Sequence, residues 1–172
     1  MDTKENNIFT YSMKGGLILG AILSICMCLL LKFPATGMFM VLVIFIAFFK
    51  CVSYYMMAYD VEVWNYEARL GRLVSVGTYL SFFASLIAAA VLYIYLRWLD
   101  PSTFESIVQT YVKLGEQMET QGAQQSMVEQ LKYVRPVDMA FSSVWTFSLM
   151  GAVVSLVEAL FWRNKRNKIK KN

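Results

Sequence analysis

Hydrophobic residues in this chain gather into four long runs, Gly15–Leu31, Ala35–Phe49, Leu73–Leu96 and Met139–Trp162, and charged residues are almost confined to the breaks between them. A helix needs roughly 17–25 apolar residues to cross a hydrocarbon core about 30 Å thick, and each run approaches or exceeds that length. The pattern predicts an all-α protein, an integral membrane four-helix bundle in one membrane domain, with spans over about 13–32, 35–57, 73–97 and 137–162.

The breaks have their own grammar. Lys32-Phe33-Pro34 allows only a tight turn, so the first two spans form an antiparallel pair, with Pro34 ending one helix and suiting the start of the next. The connection from Asp60 to Arg72 mixes acids, bases and aromatics. Trp64 and Tyr66 there, with Trp98 and Trp162 at other span ends, read as interfacial anchors, because amphipathic rings settle at the headgroup level. The longest break, 102–134, predicts an amphipathic extracytoplasmic helical hairpin between the third and fourth spans. Ser102 and Glu105 have capping-box spacing, and Phe104, Ile107, Val108, Tyr111, Val112, Leu114 and Met118 follow mostly at helical intervals, giving a helix from about Thr103 to Thr120. Gly122 interrupts, and Met127, Val128, Leu131 and Val134 suggest a shorter helix before Pro136.

Composition sharpens this picture. With 58% hydrophobic and only 16% charged residues, a water-soluble chain of 172 residues would have too much apolar surface to bury. Six of the 16 basic residues lie in the last ten positions, which marks 163–172 as a basic cytoplasmic tail at a membrane face and not a nucleic-acid surface. Cytoplasmic flanks collect Lys and Arg. With both termini inside, eleven basic residues fall on the inner side (Lys4, Lys14, Lys50, Arg69, Arg72 and the tail) against five outside. The expected location is the bacterial inner membrane, multi-pass, with N- and C-termini cytoplasmic. Lys14 followed by an apolar run resembles an export signal, but no small-x-small site follows it and Ile25 precedes Cys26, so the first span is expected to stay in the mature protein.

Candidate chemistry is sparse. Small residues recur every three or four positions at Gly16, Gly20 and Ser24, at Gly77, Ser81 and Ser85, and at Ser148, Gly151 and Ser155, the spacing that lets helices approach closely in lipid. Glu158 is the one acid inside an apolar run, and an ionised side chain there calls for a partner or a purpose. An intramembrane ion pair with Lys14, Lys50 or Arg72 is the first expectation, a proton or cation site the second. Cys26 and Cys28 point to nearly opposite helix faces and read with Cys51 as packing residues. The chain has no histidine, which removes imidazole catalysis and the commonest metal ligand. No phosphate loop or nucleophile elbow occurs, nor the first-span glutamate of small multidrug exchangers, so no catalytic residue, metal site or cofactor is expected.

Gly15-Gly-Leu-Ile-Leu-Gly20, Leu99-Asp-Pro-Ser-Thr-Phe104, the Glu/Gln/Met-rich outer helix, Pro136 and the Lys-rich end together resemble, over nearly the whole chain, the four-span membrane proteins of Bacteroidetes in the domain of unknown function 4199 family. Leu70-Gly71-Arg72 departs from the Phe-Gly-Lys-like start of that family's third span. The resemblance implies a cytoplasmic-membrane protein of a Gram-negative cell without assigned catalytic residues, and a cell-envelope partner such as a polyprenyl-phosphate glycosyltransferase-like enzyme. The expected function is a non-enzymatic accessory or scaffold protein that contacts membrane lipids and another membrane protein or itself. The alternatives are a small oligomeric transporter or channel using Glu158, and a lipid-binding membrane protein.

Overall fold

The computed structural model describes residues 2–33, 35, 37–118 and 133–169. Among the described residues there are five helices and no strand: α1 (Asp2–Lys32), α2 (Gly37–Trp64), α3 (Leu70–Ile94, continued by a π-helical turn at Tyr95–Leu99), α4 (Pro101–Met118) and α5 (Pro136–Ile169). Helices α1, α2, α3 and α5 are each long and apolar enough to span a bilayer, so this is a multi-pass membrane protein. The start of α1 and the last turns of α5 share one end of the bundle, and α4 lies beyond the other.

Two spans run past their hydrophobic cores. Nothing between Cys51 and Tyr59 breaks a helix, so α2 continues to Trp64 and takes Asp60 and Glu62 with it. Likewise the basic residues after Trp162 are good helix formers placed where the dipole favours cations, and α5 extends through them to Ile169. At the far end, the cap of α4 is Asp100 and not the expected Ser102–Glu105 box. Pro101, with no N–H to lose, takes the first helical position, and Asp100 Oδ1 accepts from the Thr103 amide at 3.1 Å while its carboxylate also takes the Ser102 and Thr103 hydroxyls at 2.6 Å. The expected second outer helix falls outside the described residues except for its end, where Tyr133 to Arg135 are not helical.

The bundle is built around α3, which packs most extensively against α1 on one flank and α5 on the other, with α2 touching all three. Between α3 and antiparallel α5, Gly77 faces Ser155, Ser81 faces Gly151, and Ser85 Oγ lies 3.1 Å from Ser148 Oγ, a constant register along about two turns. On the parallel α1 flank, a Cβ on Gly16 would lie 2.6 Å from Phe83 Cβ and 3.0 Å from the Leu80 carbonyl oxygen, and one on Gly20 would lie 3.0 Å from that of Ala84. Ser12 ties the same pair by donating to the Val76 carbonyl at 3.1 Å. Hydrocarbon gives helices no reason to hide apolar side chains from it, so this close contact is what holds them together. Ser24, Ser81 and Ser155 bond back to carbonyls four residues earlier, which removes the cost of burying their hydroxyls. Leu19, Leu23, Phe48, Val52, Leu73 and Leu80 fill the remaining core, while Leu17, Phe39, Phe45, Phe141 and Trp145 face outward as a lipid-exposed perimeter.

Replacing Gly151 by Leu is expected to lower stability by about 1–3 kcal/mol, the usual cost of forcing methylenes into a packed contact. Gly71→Ala, with nothing within 4 Å of its Cβ position, should leave stability unchanged or raise it slightly. Equilibrium unfolding in mixed micelles checks both. The four donors on Asp100 include three from Ser102 and Thr103, and these hold its carboxyl below the ordinary carboxylate range. Its contribution to α4 should therefore be complete above that range and be lost only as pH falls below it, through the lowered pKa. Exchange protection of the Thr103 amide should follow that course, and Asp100→Ala should abolish it.

Candidate functional site

The densest polar constellation lies at the end of the bundle that carries the chain termini, and it is centred on Asp60. Three groups reach its carboxylate because of where helices start and stop. Asp60 sits in the last turns of α2 and is wholly buried, at 0% exposure. Trp162 and Arg166, four residues apart on α5, share a face and point at it. Trp162 Nε1 donates to Asp60 Oδ2 at 2.7 Å, and an Arg166 guanidinium nitrogen lies 3.3 Å from Oδ2 and 3.4 Å from Oδ1. The Ala68 amide donates to Oδ1 at 2.9 Å, and the same Arg166 nitrogen donates to the Ala68 carbonyl at 2.8 Å. Both carboxylate oxygens are thus occupied, and one guanidinium bridges α5 to the connection between α2 and α3.

That connection is strained. Asn65 and Tyr66 have φ of 48° and 66°, a left-handed conformation that costs a non-glycine residue roughly 1–2 kcal/mol. Contacts to the Asp60 cluster offset the cost. The Tyr66 amide reaches the Asp60 carbonyl at 3.1 Å, and its ring stacks on Trp162 with centroids 6.3 Å apart. A ring of aromatics surrounds the cluster: Trp64 Nε1 donates to the Tyr59 hydroxyl at 2.9 Å, Arg72 lies 3.9 Å over the Trp64 ring, and Tyr11 meets Tyr59 edge-on while donating its hydroxyl to Glu62. With both carboxylate oxygens engaged by fixed donors, Asp60 ties α2 to α5 and to the connection that leads into α3.

The expected ion pair is elsewhere. Among the described residues the ion pairs are Arg166–Asp60 and, at the start of α5, Arg135–Asp138 at 3.2 Å. Glu158 is half-buried on α5 and joins neither, and Lys14, Lys50 and Arg72 are exposed. The reason is topological: α2 carries Asp60 to the depth that Arg166 reaches, so the cation of the tail finds an acid ahead of Glu158. Trp162 is likewise corrected from an interfacial anchor to a buried donor, 8% exposed, whereas Trp98 is 70% exposed and Trp64 and Tyr66 are half-buried. The structure sets Gly16, Gly20 and Ser24 of α1 and Gly77, Ser81 and Ser85 of α3, with Ser148, Gly151 and Ser155 of α5, on the buried or half-buried faces described above. In the sequence alone Asp60 belongs to a connection and Arg166 to the tail. The one available signal was Arg166 standing a helical turn after Trp162.

At the opposite end, two open grooves run beside α5. One of about 620 Å³ is lined by Arg135, Asp138, Phe141, Trp145 and others from α5 and its start, so it is a surface trough and not an enclosed pocket. A smaller one, about 230 Å³, separates Ile107, Val108 and Tyr111 of α4 from Val134, Met139 and Ser142.

A polytopic helical bundle with a saturated polar lock at one end defines a multi-pass membrane protein. Residues 14–164 match the family described as "Protein of unknown function (DUF4199)", and the chain belongs to that family. No curated protein and no solved structure matches it.

Removing the carboxylate with Asp60→Ala leaves Arg166 and the Trp162 N–H unpaired, and should cost about 3 kcal/mol or more. Trp162→Phe, which keeps a ring but loses one bond to a charged group, should cost about 1.5–3 kcal/mol. In a double-mutant cycle by mixed-micelle unfolding, Asp60→Ala with Arg166→Ala is expected to be markedly less damaging than the sum of the two.

Proposed function

We propose that this protein is a non-enzymatic accessory or scaffold subunit of the bacterial inner membrane, with both termini in the cytoplasm. The observation that carries this reading is the contrast between inside and outside. Inside, α3 is pressed against α1 and α5 at glycine and serine positions, and the fully buried carboxylate is saturated by its own chain. Outside, α2 and α5 turn broad apolar and aromatic surfaces outward, including Phe39, Phe45, Phe141 and Trp145, which suit lipid or another membrane helix. The distribution of basic residues, eleven against five, supports the orientation.

A second reading, a small oligomeric transporter, draws on Glu158, which stands half-buried on α5 outside both ion pairs. Two experiments separate them. Affinity purification of the full chain in mild detergent is expected to recover one membrane partner in stoichiometric amount, and repeated recovery of the chain alone would overturn the scaffold reading. Proteoliposomes of the wild type and of Glu158→Gln are expected to show no difference in proton or cation flux, whereas a flux lost in the variant would favour transport.

A further inference from the structure

We infer that Lys14 and Lys50 form a binding site for the phosphate of an anionic membrane phospholipid at the seam between α1 and α2. The two lysines are brought to one level by the contact beside them. Cys51 Sγ lies 3.7 Å from the Gly15 carbonyl oxygen, and a Cβ on Gly15 would lie 2.8 Å from the Tyr55 ring, so the residues next to Lys14 and Lys50 touch across the seam. Gly15 faces α2 and α3, which leaves Lys14 on the outer flank of α1, and both lysine side chains are exposed.

Their depth is what calls for an anion. Lys50 lies thirteen residues from the start of α2 at Gly37, about 20 Å along the axis, directly after the apolar run that ends at Phe49 and before a further fourteen helical residues. A cation at such a position is costly unless it is paired or drawn to a headgroup. Among the described residues no carboxylate pairs with either lysine. Neither lysine enters an ion pair among the described residues, and neither does Glu158 of α5. Glu62 lies twelve residues further along α2 and accepts from Tyr11, and Asp60 is occupied by α5 and Ala68. An anion from outside the chain meets that need, and on a lipid-facing flank the anion at hand is a phospholipid phosphate. Tyr54, one turn beyond Lys50 on the same stripe of α2 and 66% exposed, adds a hydroxyl donor, its ring held edge-on by Tyr55 with centroids 5.3 Å apart. This site is separate from the Asp60 lock and does not depend on the scaffold reading.

Native mass spectrometry of the full chain extracted from vesicles of equal phosphatidylglycerol and phosphatidylcholine tests it. The wild type should retain phosphatidylglycerol preferentially. Lys14→Gln with Lys50→Gln should reduce that preference by about 25-fold, a factor of about five for each cation. Lys14→Arg with Lys50→Arg should retain it, which separates loss of charge from loss of fold. Arg163→Gln with Lys165→Gln, which thins the basic tail, should leave it largely intact. No preference in the wild type, an undiminished preference in the double Gln variant, or equal loss on thinning the tail would each overturn the site. So would full displacement of the lipid by millimolar inorganic phosphate, which would mark a free-anion site instead.

Discussion

Close approach of helix backbones around α3 is the constraint on which the rest of this structure depends. In water, the same helices would be driven together by the release of apolar surface; in hydrocarbon that force is absent, and van der Waals contact at short range has to replace it. Gly77 against Ser155 and Ser81 against Gly151 on one flank, and Gly16 and Gly20 against the α3 backbone on the other, make α3 narrow enough to be gripped from both sides. Because those positions are spaced three or four residues apart on each helix, the register of α3 with both neighbours is fixed along several turns. The larger side chains, from Phe48 to Leu80, then fill what space remains.

The fixed register has a consequence at the end of the bundle where the termini lie. Once α5 is set against α3, its last turns pass the point where α2 ends, and Trp162 and Arg166 arrive beside Asp60. A carboxylate there without partners would be strongly destabilising, and a left-handed Asn65-Tyr66 turn without anchors would relax. Each need meets the other. Asp60 takes the Ala68 amide, Arg166 takes the Ala68 carbonyl, and the Tyr66 ring lies on Trp162, so the strained turn and the buried charge are stabilised by one set of contacts. Helices α2 and α5 and the connection into α3 are therefore joined at this end by polar bonds, and the helices along the middle by shape.

A division of labour follows. The interior and the Asp60 lock are committed to structure, with buried polar side-chain atoms of the described residues all satisfied. What is left for interaction lies on the outside: the apolar perimeter of α2 and α5, the grooves beside the start of α5, and the cations on the α1–α2 seam.

Most of the architecture was legible in the sequence because bilayer thickness translates directly into run length, and small residues at helical spacing mark the faces that meet. The four spans, the all-α class and the amphipathic α4 follow from those two rules. Asp60, by contrast, reads as part of a connection, since the apolar run stops before it, and Arg166 reads as one more charge of a basic tail. Their pairing links positions 106 residues apart, and no local pattern encodes it. Glu158 attracted the expectation of an ion pair because it stands alone in an apolar run; which acid a cation meets depends on how far each helix extends and how it is rotated, and these are set by packing. The sequence by itself determined that the chain crosses the membrane and which stripes are narrow, because hydrocarbon thickness and side-chain size are local properties. Only the tertiary structure decided which charges are neutralised within the chain and which are left facing lipid, because that depends on the relative depth and rotation of helices distant in sequence.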